Sequence, residues 1–268
     1  MAGSGARREL AVVTGASAGM GVEFARQLAA RRFDLLLVAR RLDRLQQVCA
    51  EVAAEHAVEC EALAADLTQD ADLARVEERI GAAANLGMLV NNAGFGTLGK
   101  FHKSSRASQD QMHRLHVLAT MRLCHAALPG MIDRDSGGII NVSSVAAFVA
   151  SAGSVSYCST KAWMNRFTEC LFLELKLAGS HVRVEALCPG YTRTEFHETL
   201  KMDTKQIGNW MWLPADRVVR ESLEGLDRGK LIVIPGLRYR SMMRFYAMLP
   251  RAVKRALGAR APRYRVAR

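Results

Sequence analysis

ELAVVTGASAGMGVEFARQLAARRFDLLLVAR, residues 9–40, decides the fold class. Its first apolar run stops at Gly15 and reads as a buried strand over 9–15. Met20, Phe24 and Leu28 then recur at helical spacing among small residues, predicting a helix over 19–32. DLLLVAR (34–40) is a second strand. The same alternation continues along the chain. LDRLQQVCAEVAAEH (42–56) puts Leu42, Leu45, Val48, Cys49 and Val52 on one helical face. CEALAADL (60–67) reads as a third strand, and TQDADLARVEERIGAAA (68–84) as a helix with Thr68 as its expected N-cap. LGMLVNNAG (86–94), GGIINVSS (137–144), HVRVEALCPG (181–190) and KLIVIPG (230–236) supply strands four to seven. Strand and helix in strict alternation predict an α/β fold: one doubly wound, seven-stranded parallel sheet in a single domain. Ligands of such sheets bind beyond the carboxyl ends of the strands, near the switch in strand order.

Half of the 268 residues are apolar and 24% are charged, as in a globular chain with a large core. No uninterrupted apolar run reaches the roughly 18 residues of a spanning helix. MAGSGARREL is not followed by a signal-peptide h-region, so the expectation is a cytoplasmic protein. The six cysteines (49, 60, 124, 158, 170, 188) lack metal-type spacing and read as scattered buried thiols. His113 and His116 form H-x-x-H without a third ligand in range, so no metal site is expected. The net charge of +11 is uneven: residues 201–268 hold 16 basic and 5 acidic side chains, and no acid follows Asp227.

The turn TGASAGMG (14–21) links the first strand to the first helix. Gly15 permits the tight turn, Gly19 lets the backbone approach a pyrophosphate, and Gly21 allows close helix–strand packing. The cofactor-binding set read here is Gly15, Ser17, Gly19, Met20 and Gly21. The spacing G-x-x-x-G-x-G differs from the general G-x-G-x-x-G. At the end of the second strand an NAD site places an acid; here Ala39 is followed by Arg40 and Arg41. A guanidinium grips a 2′-phosphate, so Arg40 points to NADP(H), with Ser17 an additional donor. Two solvated surface arginines are the alternative. Asp66 ends the third strand, placed to accept from an adenine amino group, and Asn91-Asn92-Ala93-Gly94 ends the fourth. Asn92 and Gly94 join the cofactor-binding candidates.

Tyr157 and Lys161 stand at i and i+4 in SYCSTK, on one face of a helix. A free tyrosine titrates near 10, too high for ready exchange at neutral pH, and a neighbouring ammonium is expected to lower it. Ser144 ends the fifth strand, 13 residues earlier, where its hydroxyl would hold a substrate carbonyl while Tyr157 delivers a proton. Ser143 is the competing candidate on the oppositely directed position.

These residues together, TGASAGMG, Asp66, NNAG, Ser144, Tyr157, Lys161 and CPGYTRT (188–194), resemble the short-chain dehydrogenase/reductase family over about residues 8–236. The resemblance is nearest to ketoacyl and hydroxysteroid reductases. It implies a Rossmann-type fold, with Ser144 orienting the carbonyl, Tyr157 exchanging the proton and Lys161 tuning it and holding the nicotinamide ribose. It also implies that Pro189, Gly190, Thr192 and Thr194 lie against the nicotinamide. One position departs from the family pattern. Where an asparagine usually supports a water in the proton path, this sequence has His116, which either keeps that water or adds a titrating group.

After Thr194 comes a variable lid, about 195–215, in which Met202, Ile207, Trp210, Met211, Trp212 and Leu213 suit a lipophilic substrate. Packing of the two tryptophans on the domain is the alternative. Residues 237–268 form a basic amphipathic extension. Met242, Phe245, Tyr246 and Leu249 would share one helical face and Arg244, Arg251 and Arg255 another, with Pro250 as a break. Peripheral contact with anionic lipid is one reading; a solvated, partly disordered extension or a subunit contact is the other. Nucleic-acid binding is not expected. The sequence therefore predicts an NADPH-dependent reductase of a lipophilic ketone of 3-oxoacyl or keto-steroid type, in a homo-oligomer. A non-catalytic NADP-binding scaffold, or a dehydrogenase running in the oxidative direction, is the alternative.

Overall fold

In the computed structural model, which describes residues 8–195 and 207–259, β1 (Leu10–Thr14) is buried at every position. Its side chains alternate: Ala11 and Val13 enter one core layer, Leu10 and Val12 the other. A strand buried on both faces has to be apolar throughout, which is why it reads as a continuous run. β1 pairs in parallel with β2 (Asp34–Ala39) on one side and β4 (Leu86–Asn91) on the other. β3 (Cys60–Ala64), β5 (Gly138–Val142), β6 (Arg183–Leu187) and β7 (Ile232–Val233) complete a parallel seven-stranded sheet of order β3-β2-β1-β4-β5-β6-β7. The switch in strand order falls between β1 and β4. The strands are shorter than the runs that announced them, because the last residues of each run leave the ladder to build the carboxyl-end loops.

α1 (Gly19–Ala30), α2 (Leu42–His56) and α7 (Ala215–Asp227) cover one face of the sheet. α3 (Asp70–Gly81), α5 (Thr120–Asp133) and α6 (Val155–Leu177) cover the other. Phe24 and Leu28 of α1, one turn apart, are wholly buried, and each such side chain contributes roughly 1.5–3 kcal/mol by leaving water. α4 (Arg106–His113) runs into α5 through a π-helical turn, Arg114–Ala119. This continuous stretch, Arg106–Asp133, is long and apolar enough to cross a membrane by length and composition, a run the sequence was not expected to contain. Its Met112, Leu123, Cys124, Ala127 and Met131 are buried, and it is a core helix of the domain.

Three local expectations are corrected. The N-cap of α3 is Gln69, not Thr68, because the Thr68 hydroxyl is engaged as a donor to Asp66 Oδ1 at 2.8 Å. A disulfide joins Cys49 of α2 to Cys60 of β3, Cα atoms 5.2 Å apart, and Cys170 is exposed, so the cysteines are not uniformly buried thiols. Among the described residues after 236 there are two helices, α8 (Leu237–Met248) and α9 (Arg251–Ala259), with Pro250 between them. The segment is no solvated extension at its start, since Tyr239 is 3% exposed and docks on the domain.

Candidate active site

The glycine turn is built by close approach. Gly15 and Gly19 hold φ of +66° and +56°, the left-handed region that favours glycine. A Cβ on Gly21 would lie 2.2 Å from the Gly15 carbonyl oxygen, so α1 packs on the turn only without a side chain there. Ala18 caps α1 without a side-chain hydrogen bond, leaving the first N–H groups, at Gly19 and Met20, aimed past the strand ends. Thr14 ties the turn to the next strand: its hydroxyl donates to Val90 O and accepts from the backbone N–H of Asn92 and Ala93, both at 3.0 Å. Asn92 Nδ2 in turn donates to Thr14 O at 2.8 Å. The role of Thr14 was not read from sequence, since a threonine ending a strand carries no signal of what its hydroxyl will meet.

Arg41, rather than Arg40, turns toward the glycine loop, its Nη2 donating to Ser17 Oγ at 3.2 Å. Glu195 bridges Arg41 at 3.3 Å and Arg44 at 3.2 Å. Arg40 is exposed beside them. Asp66 is half-buried and accepts from both the N–H and the hydroxyl of Thr68 in a local turn, so its carboxylate is fixed at the end of β3. Gly94 lies where a Cβ would come within 2.9 Å of His116 Nε2 and 3.7 Å of Lys161 Nζ.

Ser144, Tyr157 and Lys161 come together at the end of β5. Ser144 caps the short 3₁₀ turn Val145–Phe148, accepting from Ala146 N at 3.1 Å, and a hydrogen bond joins its hydroxyl to the Tyr157 phenol. Ser143 points the other way and donates to Lys161 O at 3.0 Å, so it is a brace for α6. Lys161 Nζ donates to Val142 O at 2.7 Å and stands 6.0 Å from the Tyr157 ring centroid. Burial pushes the Tyr157 phenol up to about 12, against the weaker effect of Ser144. The cause is shared, for burial also pulls Lys161 down to about 7. A lysine that sheds its charge near neutrality, and bonds a carbonyl, is a weak partner for a phenolate.

His116 sits on the π-helical turn and is fully buried. Phe95 N–H donates to its Nε2 at 3.2 Å, so Nδ1 carries the proton toward Thr160 Oγ1 at 2.9 Å, and Thr160 donates onward to Tyr157 O at 3.1 Å. Burial first, then Lys161 and His113, hold its pKa well below 6.5. Both ring nitrogens are engaged in the neutral form. The titrating alternative for this position is therefore corrected: His116 is a neutral strut between the 92–95 loop and α6.

Pro189 O accepts from Val145 N at 3.0 Å, holding the β6 loop to the Ser144 turn. Gly190 faces the Tyr239 ring, with a Cβ there falling 2.0 Å from Cζ. The Tyr239 hydroxyl accepts from Tyr191 N at 2.9 Å and donates to Met211 O at 2.7 Å. Thr192 is buried and bridges Leu213, while Thr194 lies against Gly19. Of the lid residues, Met202 lies outside the described residues. Trp212 packs on Tyr191, centroids 5.6 Å apart, and Trp210 is 62% exposed. The candidates therefore line the carboxyl ends of β1 to β6, around the switch point. Glycines that a Cβ would overfill stand at the end of β1, and a hydrogen-bonded serine–tyrosine pair at the end of β5.

Comparison with known proteins bears on this arrangement. The family model of short chain dehydrogenase matches residues 9–205. A very-long-chain 3-oxoacyl-CoA reductase of Bos taurus is 31% identical over 191 residues, 70% of this chain and 60% of the bovine protein. The match thus spans less than two thirds of that relative. A short-chain dehydrogenase from Sphingobium yanoikuyae, solved in complex with NADPH, is 34% identical, covers 91% of this chain and 97% of its own, and superposes with a TM-score of 0.81. The bulky-bulky ketone specific alcohol dehydrogenase from Comamonas testosteroni is 30% identical with a TM-score of 0.78, over 92% of this chain and 97% of its own.

Proposed function

The chain belongs to the short-chain dehydrogenase family and is an oxidoreductase of that family; within it, we propose an NADPH-dependent reductase of a lipophilic ketone, with Tyr157 as the proton donor. The observation that carries the reading is the hydrogen-bonded pair of Ser144 and Tyr157 at the end of β5, one helical turn from Lys161. The dinucleotide would be held by Gly15, Gly19, Met20 and Gly21 at the pyrophosphate, Asp66, Asn92 and Gly94 along the adenosine and ribose, and Pro189, Gly190, Thr192 and Thr194 at the nicotinamide end. The glycine cradle, which a Cβ would fill, suits that occupant. The bound cofactor supplies the hydride.

The residues supply the rest. Ser144 donates a hydrogen bond to the carbonyl oxygen and fixes its position against Tyr157. A phenol near 12 keeps its proton at neutral pH, so it stands loaded for reduction. Lys161, near 7, both holds and releases a proton at physiological pH, and a proton on it moves downhill toward a phenolate.

For the cofactor, Arg41 on Ser17 supports NADPH over NADH, joined by Arg40 and Arg44. The Glu195 carboxylate spanning two of these arginines marks the place as one that attracts an anion. The exposed Phe148 and Val155 and the Tyr191–Trp212 contact give the substrate side an apolar rim. The names of the bovine and Comamonas relatives, a very-long-chain 3-oxoacyl-CoA reductase and a bulky-ketone enzyme, support a large lipophilic substrate.

The test is NADPH and NADH oxidation with acyl, steroid and aryl ketones. Tyr157→Phe should keep NADPH binding and lose turnover by about 10²–10⁴. Arg41→Asp should cut the NADPH/NADH preference by about tenfold or more. Full turnover in the first variant, or an unchanged ratio in the second, would defeat the corresponding assignment.

A further inference from the structure

The cations that follow Asp227 and a stripe of exposed apolar side chains share one surface. α8 buries the side carrying Tyr239 and exposes the opposite one. There Leu237, Phe245 and Met248 are 70%, 62% and 76% exposed. At about 100° per residue, positions 237, 241, 244, 245 and 248 fall on one face, so Arg244 stands within the stripe and Arg238 at its edge. α9 continues the pattern, with Val253 and Leu257 exposed at i and i+4 and Arg251 and Arg255 turned to the other side. Trp210, 62% exposed, adjoins it, for Arg238 Nη1 donates to the Trp210 carbonyl at 3.0 Å.

An apolar stripe with cations on its flanks and a tryptophan at its margin fits the boundary between headgroups and acyl chains. A second copy of this chain fits it less well. The copy would bring Arg238 and Arg244 toward their equivalents, and no carboxylate side chain follows Asp227 to offset them. Charge complementarity selects an anionic surface. We propose that the exposed faces of α8 and α9, with Trp210, dock this protein on an anionic lipid bilayer. The residues that make the contact differ from the sequence expectation: Tyr246 and Leu249 are half-buried, and Arg244 shares the face of Phe245 instead of opposing it.

The docking surface is fastened to the candidate site. Ala152 N donates to Gly258 O at 3.1 Å, and Gly258 comes so close to Ala150 that a Cβ would lie 2.1 Å from its carbonyl oxygen. Ala150 and Ala152 belong to the loop between Ser144 and Tyr157. A bilayer bound by α8 and α9 thus lies beside the loop that joins Ser144 to Tyr157, which gives a ketone dissolved in lipid a short path to the site. This last step rests on the proposed substrate class; docking itself does not.

The full chain is sedimented with vesicles of phosphatidylcholine containing roughly one-third phosphatidylglycerol, and with pure phosphatidylcholine, at low and high salt. Its mass is measured in parallel by light scattering. The chain should pellet with the anionic vesicles at low salt, be released by high salt and ignore the neutral vesicles. Phe245→Ser with Met248→Ser, and separately Arg238→Gln with Arg244→Gln, should each lower partitioning by about tenfold or more with thermal unfolding unchanged. The proposal is overturned if the wild type stays in solution at low salt. It is equally overturned if both variants bind like the wild type, or if they halve the mass in solution while vesicle binding stays the same. Binding is read without substrate, so its failure leaves the reductase reading intact. A failure to turn over any ketone likewise leaves docking intact.

Discussion

Replacing Gly190 with alanine tests how the C-terminal helices are locked to the catalytic half. The new Cβ would fall 2.0 Å from Tyr239 Cζ and 2.2 Å from Cε1, so the ring has to retreat by about 1.4 Å to reach the 3.4 Å of ordinary contact. Tyr239 is 3% exposed and its hydroxyl is held from both sides, by Tyr191 N and Met211 O. Retreat breaks both hydrogen bonds, at about 1 kcal/mol each, and disturbs a packed ring for about 1–2 kcal/mol more. We expect a loss of about 3 kcal/mol, or a Tm lower by about 6–12 °C. Tyr239→Ala alone should cost about 3–5 kcal/mol. In that background Gly190→Ala has nothing to strike and should cost almost nothing, so urea unfolding of the four proteins should give a coupling of about 3 kcal/mol. Additivity within about 0.5 kcal/mol would refute the reasoning, because the alanine would then be harmful for a reason unconnected with Tyr239.

Glu185, buried on β6 with Ser222 donating to its Oε1 at 2.5 Å and Oε2 unpaired, is pushed up to about 8 by burial. Its folded pKa exceeds the ordinary 4.5, so its stabilising share is whole below 4.5 and lost as pH rises toward 8. Glu185→Gln should therefore gain on the wild type across that window, by at most about 5 kcal/mol, in melts taken from pH 4 to 9; a pH-independent difference would contradict the burial argument. His116 shifts the opposite way: its pKa lies below 6.5, so its contribution is present above 6.5 and fades as pH falls. His116→Asn should lose about 1–3 kcal/mol with the Phe95 bond and flatten the acid side of the stability profile. The shape of the kcat/KM profile near neutrality should not change, and loss of an inflection there would make His116 a proton carrier after all.

The parts of the site that were legible are the ones encoded over a few residues. Tyr157 and Lys161 share a helical face because they are four apart, and Gly15 to Gly21 announce a turn because glycine alone tolerates it. Ser144 could be preferred to Ser143 because strand positions alternate. What escaped depends on partners far away in the chain. Arg41 meets Ser17 and Glu195 across 24 and 154 residues, His116 meets Thr160 across 44, and Tyr239 reaches Tyr191 across 48. The burial of Tyr157 and Lys161 escaped for a related reason. An i, i+4 spacing says that two groups are neighbours, while the burial that discharges Lys161 is a property of the whole fold.

The π-helical turn at 114–119 has a consequence for what the gene can tolerate. A π turn accommodates one residue more than the α-helix it interrupts, and each residue rotates the helix by about 100°. Met112 before the turn and Leu123 after it are both buried, and the turn absorbs its extra residue between them. Substitutions along this stretch alter one contact at a time. A single-codon deletion between 114 and 119 would return the turn to the α-helical repeat and leave Met112 and Leu123 in phase, whereas a deletion elsewhere in Arg106–Asp133 would turn one flank by about 100° against the other. Loss of one residue should therefore spare the core when it falls inside the π turn, at the expense of the placement of His116, and damage the core when it falls outside.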